Sequence, residues 1–188
     1  MVSGRSIPKK IGHVVEGKYD ISAEKKMKYE LIDLQESYFE TDDFEHEIKL
    51  GDFGYYYIFC DNKPYLKVDV DIKKLFDDAV IYNNHLLIGA SDKVYFVNLI
   101  DFEITEIEVE MYFGYFVLFK EAVYILDGSG IIAFNKNLEE IWRNHSLAID
   151  GVTFQEMLDN EIMSISCEMD PPGGWINRKI NIKSGEEI

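Results

Sequence analysis

The chain predicts an all-β fold: an antiparallel meander of repeated four-stranded units. Three observations carry that prediction. First, Ala79–Asn98 (AVIYNNHLLIGASDKVYFVN) lies without a gap on Phe116–Asn135 (FVLFKEAVYILDGSGIIAFN) when moved forward by 37 residues. In 17 of the 20 pairs, apolar meets apolar or polar meets polar, as in a repeated β unit. Second, 12 Tyr and 12 Phe stand in a chain that is 47% hydrophobic, a composition suited to pleated, half-buried surfaces. Third, turn-forming pairs fall between the apolar runs at short, even intervals.

In chain order, residues 1–28 show no clear period and are broken by Gly4, Pro8, Gly12 and Gly17. They read as a basic arm with one short strand at Ile11–Val15, ahead of a single domain over 29–188. Tyr29–Gln35 suits a strand, although a short helix also fits it. Glu36–Asp52 carries seven acids against Lys49, which predicts a solvated hairpin or loop. Tyr55–Cys60 and Tyr65–Val70 flank Asp61-Asn62-Lys63-Pro64 and read as a hairpin. The second run alternates Leu66, Val68, Val70 with Tyr65, Lys67, Asp69, so one of its faces is wet. Asp71–Asp78 breaks the pattern.

The first regular copy runs Ala79–Tyr82, Asn83-Asn84, His85–Gly89, Ala90–Asp92, Lys93–Asn98. The second runs Phe116–Phe119, Lys120-Glu121, Ala122–Leu126, Asp127–Gly130, Ile131–Asn135. Asn and Gly tolerate positive φ, which predicts cheap reversals at Asn83-Asn84 and at Asp127-Gly128-Ser129-Gly130. A fourth run closes each copy, at Ile104–Val109 and Leu138–Trp142. In the former, Glu106, Glu108 and Glu110 point one way and Ile107, Val109 and Met111 the other, as on an acid-faced outer edge strand. A third, altered copy follows Asp159-Asn160, with strands at Ile162–Cys167 and Arg178–Ile182 and an insertion of about nine residues between them. The repeats thus lie near 79–110, 115–143 and 152–188.

This unit of about 37 residues resembles a β-propeller blade of the pyrroloquinoline-quinone or WD40-like kind, without the Trp-Asp or Gly-His signature of WD40 repeats. The resemblance implies a small or incomplete β-propeller of about four blades. A β-sandwich is the alternative. Were the ring to close, a strand from Ile11–Gln35 would complete the last blade, because no convincing fourth strand follows Gly185.

Charge narrows the partners. The net charge is −16. Residues 1–28 hold seven Lys/Arg against three acids, a net of +4, while 29–188 carry −20. Such a body repels nucleic acid and attracts a basic protein. No apolar run near 18 residues occurs, so no transmembrane helix is expected, and the N-terminus lacks a secretory h-region. Cys60 and Cys167 lie far apart, form no CxxC and read as two buried, reduced thiols, which predicts a cytoplasmic setting.

Catalytic motifs are sparse. His13, His46, His85 and His145 show no HxH or HExxH spacing, so no metal is expected. No phosphate-binding glycine loop appears, and no cofactor is expected. Asp127-Gly128-Ser129-Gly130 sits in a hairpin rather than at a strand–helix elbow. Acids at 42, 43, 45 and 47 lack the glycine and terminal Glu of a calcium loop. Glu168 and Asp170 can be read as a carboxylate pair of the kind used in sugar hydrolysis, but a chain this acidic places two acids so close by chance.

The insertion is the least ordinary segment. Glu168, Asp170, Pro171, Pro172, Gly173, Gly174 and Trp175 make a loop in which prolines fix φ and glycines free it. It reads either as a rigid cap with Trp175 packed down or as a binding surface. Asp170–Trp175, the strand and Ser184-Gly185 after it, and Leu147–Val152 before it resemble a group of small bacterial proteins ending in Asp-Pro-Pro-Gly-Gly-Trp, a strand and Thr/Ser-Gly. Several of those look like members of toxin–immunity loci. The resemblance implies a non-enzymatic, immunity-type inhibitor of a basic partner. Its candidate contacts are the 168–175 loop and the acidic edge at Glu106, Glu108 and Glu110. A carbohydrate-active enzyme and a purely structural module are the competing expectations.

Overall fold

The turn pairs divide the chain into strands that reverse on one another. The computed structural model, which describes residues 27–32, 44–71, 76–159 and 161–188, has four sheets. The first contains β1 (Tyr29–Ile32), β2 (His46–Lys49), β3 (Gly54–Cys60) and β4 (Lys63–Val70), in the order β1-β3-β4-β2. The second is the meander β5 (Asp77–Tyr82), β6 (His85–Ala90), β7 (Lys93–Asn98) and β8 (Ile104–Glu108). The third is β9 (Phe113–Phe119), β10 (Ala122–Asp127), β11 (Ile131–Phe134) and β12 (Glu140–Asn144). The fourth is β13 (Val152–Leu158), β14 (Ile162–Glu168) and β15 (Trp175–Asn181). The all-β meander of propeller-like repeats is therefore present, and the strands of the described residues form no closed barrel.

The 37-residue echo is the echo of the second and third sheets. Val80 and Val117 lie on first strands, and Ile88 and Ile125 on second strands. Asn98 and Asn135 do more than match in sequence. Each accepts the amide two residues on into Oδ1, from Ile100 at 2.9 Å and Asn137 at 2.8 Å. Asn181 does the same with Lys183 at 2.9 Å. Each turn then passes through a residue at positive φ: Phe102, Leu138 and Gly185. The third copy thus repeats the turn of the other two. Beyond Gly185 the chain returns alongside β15, with Ile180 bridged to Glu187 and the Ile188 amide on Lys179 O at 2.9 Å.

Apolar side chains fill the three spaces between successive sheets. Ile58, Leu66, Val68 and Val70 meet Leu86, Ile88 and Val97 between the first and second sheets. Leu87, Val94, Phe96 and Ile107 meet Phe113, Val123, Ile125 and Phe134 between the second and third. Tyr124, Leu126 and Ile131 meet Met163, Ile165, Cys167 and Ile180 between the third and fourth. Each fully buried Ile or Leu contributes about 1.5–3 kcal/mol. Among the described residues, no such core joins the fourth sheet to the first. The sequence pattern explains why. β6 and β10 are buried on both faces and read as continuous apolar runs, whereas β4 and β14 alternate buried with less buried positions. The outward face of β14 and β15 pairs Ser166 with Asn177 and Ser164 with Lys179, a polar end to the stack.

Several expectations are corrected. The acidic 36–52 stretch is not all loop, because β2 adds to β4 in parallel. The His46 ring packs 4.4 Å from Phe102 and 5.2 Å from Tyr65, and Glu47 pairs with Lys67 at 2.6 Å. The β3–β4 turn is Asp61-Asn62 alone, both at positive φ, and Pro64 lies within β4. The fourth run of the second copy is shifted to Glu140–Asn144. Gly128 and Gly130 are not at positive φ. They are required for close approach instead: a Cβ on Gly130 would stand 1.8 Å from Asn144 O. β1 pairs with β3 in the first sheet, so it does not complete the last one. The strand expected at Ile11–Val15 lies outside the described residues.

Candidate functional site

Antiparallel order puts the sheet-to-sheet links and the second hairpin of each meander at one end. Hydrogen bonds to backbone carbonyls run across that end through all four sheets. Ser91 Oγ donates to Asp71 O, and the Phe113 amide to Ser91 O. The Gly128 amide donates to Tyr112 O, Gly151 to Gly128 O, Ile149 to Glu168 O, and Glu168 to Gly151 O. We call this the link end.

Its polar centre is Asp127, the last residue of β10, whose side chain is fully buried. Oδ1 accepts the amides of Ser129 (2.9 Å) and Gly130 (2.6 Å). Oδ2 accepts the Glu110 amide at 3.1 Å. His145, on the β12–β13 link, sits between two carboxylates. Its Nδ1 is 3.0 Å from Glu110 Oε2, and its Nε2 is 3.2 Å from Asp127 Oδ2. The second contact is close enough for an ion pair but off the line of a hydrogen bond. Ser129 Oγ lies within reach of Glu110 Oε2 and Asp127 Oδ1, at 3.0 and 3.2 Å. Ser129 thus hydrogen-bonds to carboxylates and not to His145, which is not a nucleophile–base pair.

Tyr112 extends the cluster toward the insertion. Its hydroxyl lies 3.0 Å from Asp150 O and 3.1 Å from Asp150 Oδ1. Phe76 stacks on its ring at 5.6 Å. Burial, then the hydrogen bond to Asp150 and the nearby charges of Asp150, Glu168 and Asp127, push the Tyr112 phenol up to about 12.

The 168–175 loop is shaped by its own hydrogen bonds. Glu168 Oε1 accepts the Gly173 amide at 2.5 Å, the Met169 amide donates to Gly174 O, and the Gly174 amide donates to Asp170 O. Gly173 stands at φ +105, and a Cβ on Gly174 would collide with Asp170. The Pro171–Pro172 peptide is cis. Asp170, Pro171 and Pro172 are exposed, and Trp175 is 43% exposed, with its ring edge over Gly151.

Of the residues singled out in the sequence, the structure brings Glu110 to the same end as Glu168–Trp175. It leaves Glu106 and Glu108 on the flank. Glu106 pairs with Lys93, and the Glu108 carbonyl accepts from Arg143 Nη1 at 3.2 Å. The alternation that grouped Glu110 with them stops at Val109, since the chain leaves the strand and Met111 turns at positive φ. In the sequence Asp127 and Ser129 read only as part of a hairpin turn, His145 only as a histidine without metal-ligand spacing and Asp150 only as part of Leu147–Val152; Tyr112 is unmarked there, and no spacing unites the five. Among the described residues, no group of three or more His, Cys, Asp or Glu is placed to hold a metal ion, and no helix is long and apolar enough to cross a membrane.

The link end also gathers exposed apolar side chains. Phe53, Tyr55, Phe76, Met111, Ile149, Trp175 and Ile176 are each more than 40% exposed there. Among the described residues, Lys49 pairs with Asp52, Lys93 with Glu106 and Arg143 with Glu140 near this end. No protein-family model matches the chain, and no curated protein matches it significantly. One solved structure it is similar to is the crystal structure of the computationally designed Ika4 protein, with a TM-score of 0.42 and 9% identity over 63% of this chain and 74% of that one.

Proposed function

We propose that the protein is a non-enzymatic protein-binding domain whose link end docks on a basic partner. One observation carries this reading. Trp175, Ile149 and Ile176 stand exposed beside Asp150, Glu168 and Asp170, so apolar anchors and carboxylates share one surface. Half-exposed aromatic and aliphatic anchors supply the desolvated centre of an interface, and surrounding carboxylates select a cationic partner and speed its approach. The −16 net charge acts in the same direction. The likeness of the tail to proteins of toxin–immunity loci makes an immunity-type inhibitor in a cytoplasmic setting the specific form of the proposal.

The test is differential capture with the neighbouring gene co-expressed. Wild-type protein, a link-end variant (Asp170→Lys with Trp175→Ala) and an opposite-end variant (Ile100→Ala) are compared at low salt. A basic protein held by the wild type and by Ile100→Ala, but lost from the link-end variant and by raising salt, supports the reading. Identical retention by all three, or none by any, ends it.

A further inference from the structure

The second and third sheets end in β8 and β12, which pair with β7 and β11. In the fourth sheet only Glu186–Ile188 takes that place. The Asn181 amide donates to Glu186 O, Ile180 is bridged to Glu187, and the Ile188 amide donates to Lys179 O. The matching turns at Asn98, Asn135 and Asn181 set the equivalence of the copies. Asn177 therefore stands where Val94 faces Ile107 and where Ile131 faces Asn144. Among the described residues, no strand faces Asn177 on that side. Antiparallel pairing turns the N–H and C=O of alternate residues to the same edge. Lys179 and Asn181 turn theirs to the returning chain, so Asn177 and Trp175 turn theirs the same way, while those of Ile176 and Arg178 face β14.

A row of outward backbone groups is a template for an added strand. We propose that the Trp175–Asn177 edge of β15 accepts an extended segment of the basic partner as the missing outer strand. This rests on the reading of the link end as the binding face and names how the partner is held there. The side chains set the chemistry of that segment. Successive residues of an added strand fall on opposite faces of the sheet. One face carries Ile176, which is 44% exposed and would be covered. The other carries Trp175, 43% exposed, and Glu168, which lies directly opposite it on β14, with Asp170 exposed in the loop between them. A segment alternating apolar and cationic residues matches both faces. On β15 itself Arg178 is held by Glu187, and Lys179 lies beyond the open stretch, beside Ile188. A second copy of the chain is a poor occupant, since it brings the same acids and the same −16 charge to the contact.

Amide exchange of the full chain tests this with a blocked peptide of about six residues that alternates lysine and valine. In the free protein the Trp175 and Asn177 amides should exchange freely, while those of Ile176 and Arg178 stay protected. Saturating peptide should slow Trp175 and Asn177 by about fivefold or more. Asn177→Pro removes the outward amide but no bond to β14, as proline does on an edge strand, and should weaken binding by roughly tenfold. Asn177→Ala keeps the amide and should stay within about twofold of wild type. The same peptide N-methylated at every residue should give the wild-type protein no added protection, a result that does not depend on the folding of any variant. Trp175 and Asn177 amides already protected in the free protein overturn the added strand. So does equal protection by the N-methylated peptide or by one alternating glutamate and valine, or none by the lysine peptide. A captured basic partner that Asn177→Pro holds as well as wild type, but that is lost from Asp170→Lys with Trp175→Ala, overturns the added strand and leaves the link-end reading standing. Edge protection by the lysine peptide with no basic partner captured supports the added strand and counts against that reading alone.

Discussion

The ring of Phe113, at the start of the third sheet, lies directly on Gly89 of the second: a Cβ built on Gly89 would stand 2.2 Å from Cζ of that ring. The two residues meet where Phe113 is fully buried, so neither can move away cheaply. Gly89→Ala forces the ring aside and should cost about 1–3 kcal/mol by overpacking. Phe113→Ala leaves a cavity and should cost about 3–5 kcal/mol. Urea unfolding of both single variants and the double should show strong non-additivity, because in Phe113→Ala the alanine at 89 has room.

The three equivalent turns allow a cleaner test of the repeat. Asn98→Ala, Asn135→Ala and Asn181→Ala each remove one side-chain acceptor for an amide two residues on. Each should lower stability by about 1 kcal/mol. Their effects should add, since the turns belong to different sheets. A variant without effect would show that its turn is held by the backbone alone.

The Asp127 carboxylate accepts the amides of Glu110, Ser129 and Gly130. Asp127→Ala should therefore destabilise by about 3 kcal/mol or more, since it strands several buried donors. Asp127→Asn keeps the shape and should cost less. Thermal melts of the two variants check the order.

These examples also mark what was legible in the sequence. The 37-residue echo, the paired turns and the alternation in Tyr65–Val70 are local signals, and they locate the meander and the two unequal faces of β4, where Leu66, Val68 and Val70 are buried and Tyr65, Lys67 and Asp69 less so. β2 was invisible because its support is tertiary: His46 rests on Tyr65 and Phe102, far away in the chain. The Asp127–His145–Glu110 cluster was hidden for the same reason, its members being brought together by three different connections. Gly128 and Gly130 were noticed for the wrong property, since crowding by Asn144 and Tyr112 is not written in a turn motif.

Alkaline titration should follow burial. Burial pushes the Tyr115 and Tyr124 phenols up to about 12 and the Cys167 thiol up to about 11. These groups hold their protons in the folded chain after the unfolded chain has released them. The stability they contribute is therefore complete below their ordinary values of 10.0 and 9.0 and is lost as pH rises toward 12 and 11. Tyrosinate absorbance should appear together with unfolding for these residues. Cys60, which is only partly buried, should react with a disulfide reagent well before Cys167.

Contact between the link end and a basic partner can be mapped by amide exchange of the protein alone and in complex with the protein captured by differential pull-down. New protection is expected at Met111–Tyr112, Ala148–Asp150 and Met169–Ile176, with little change at Asn83–Asn84, Asp101–Glu103 and Asn135–Glu139 on the opposite end. Protection confined to that opposite end, or to the Ile104–Glu108 flank, would contradict it.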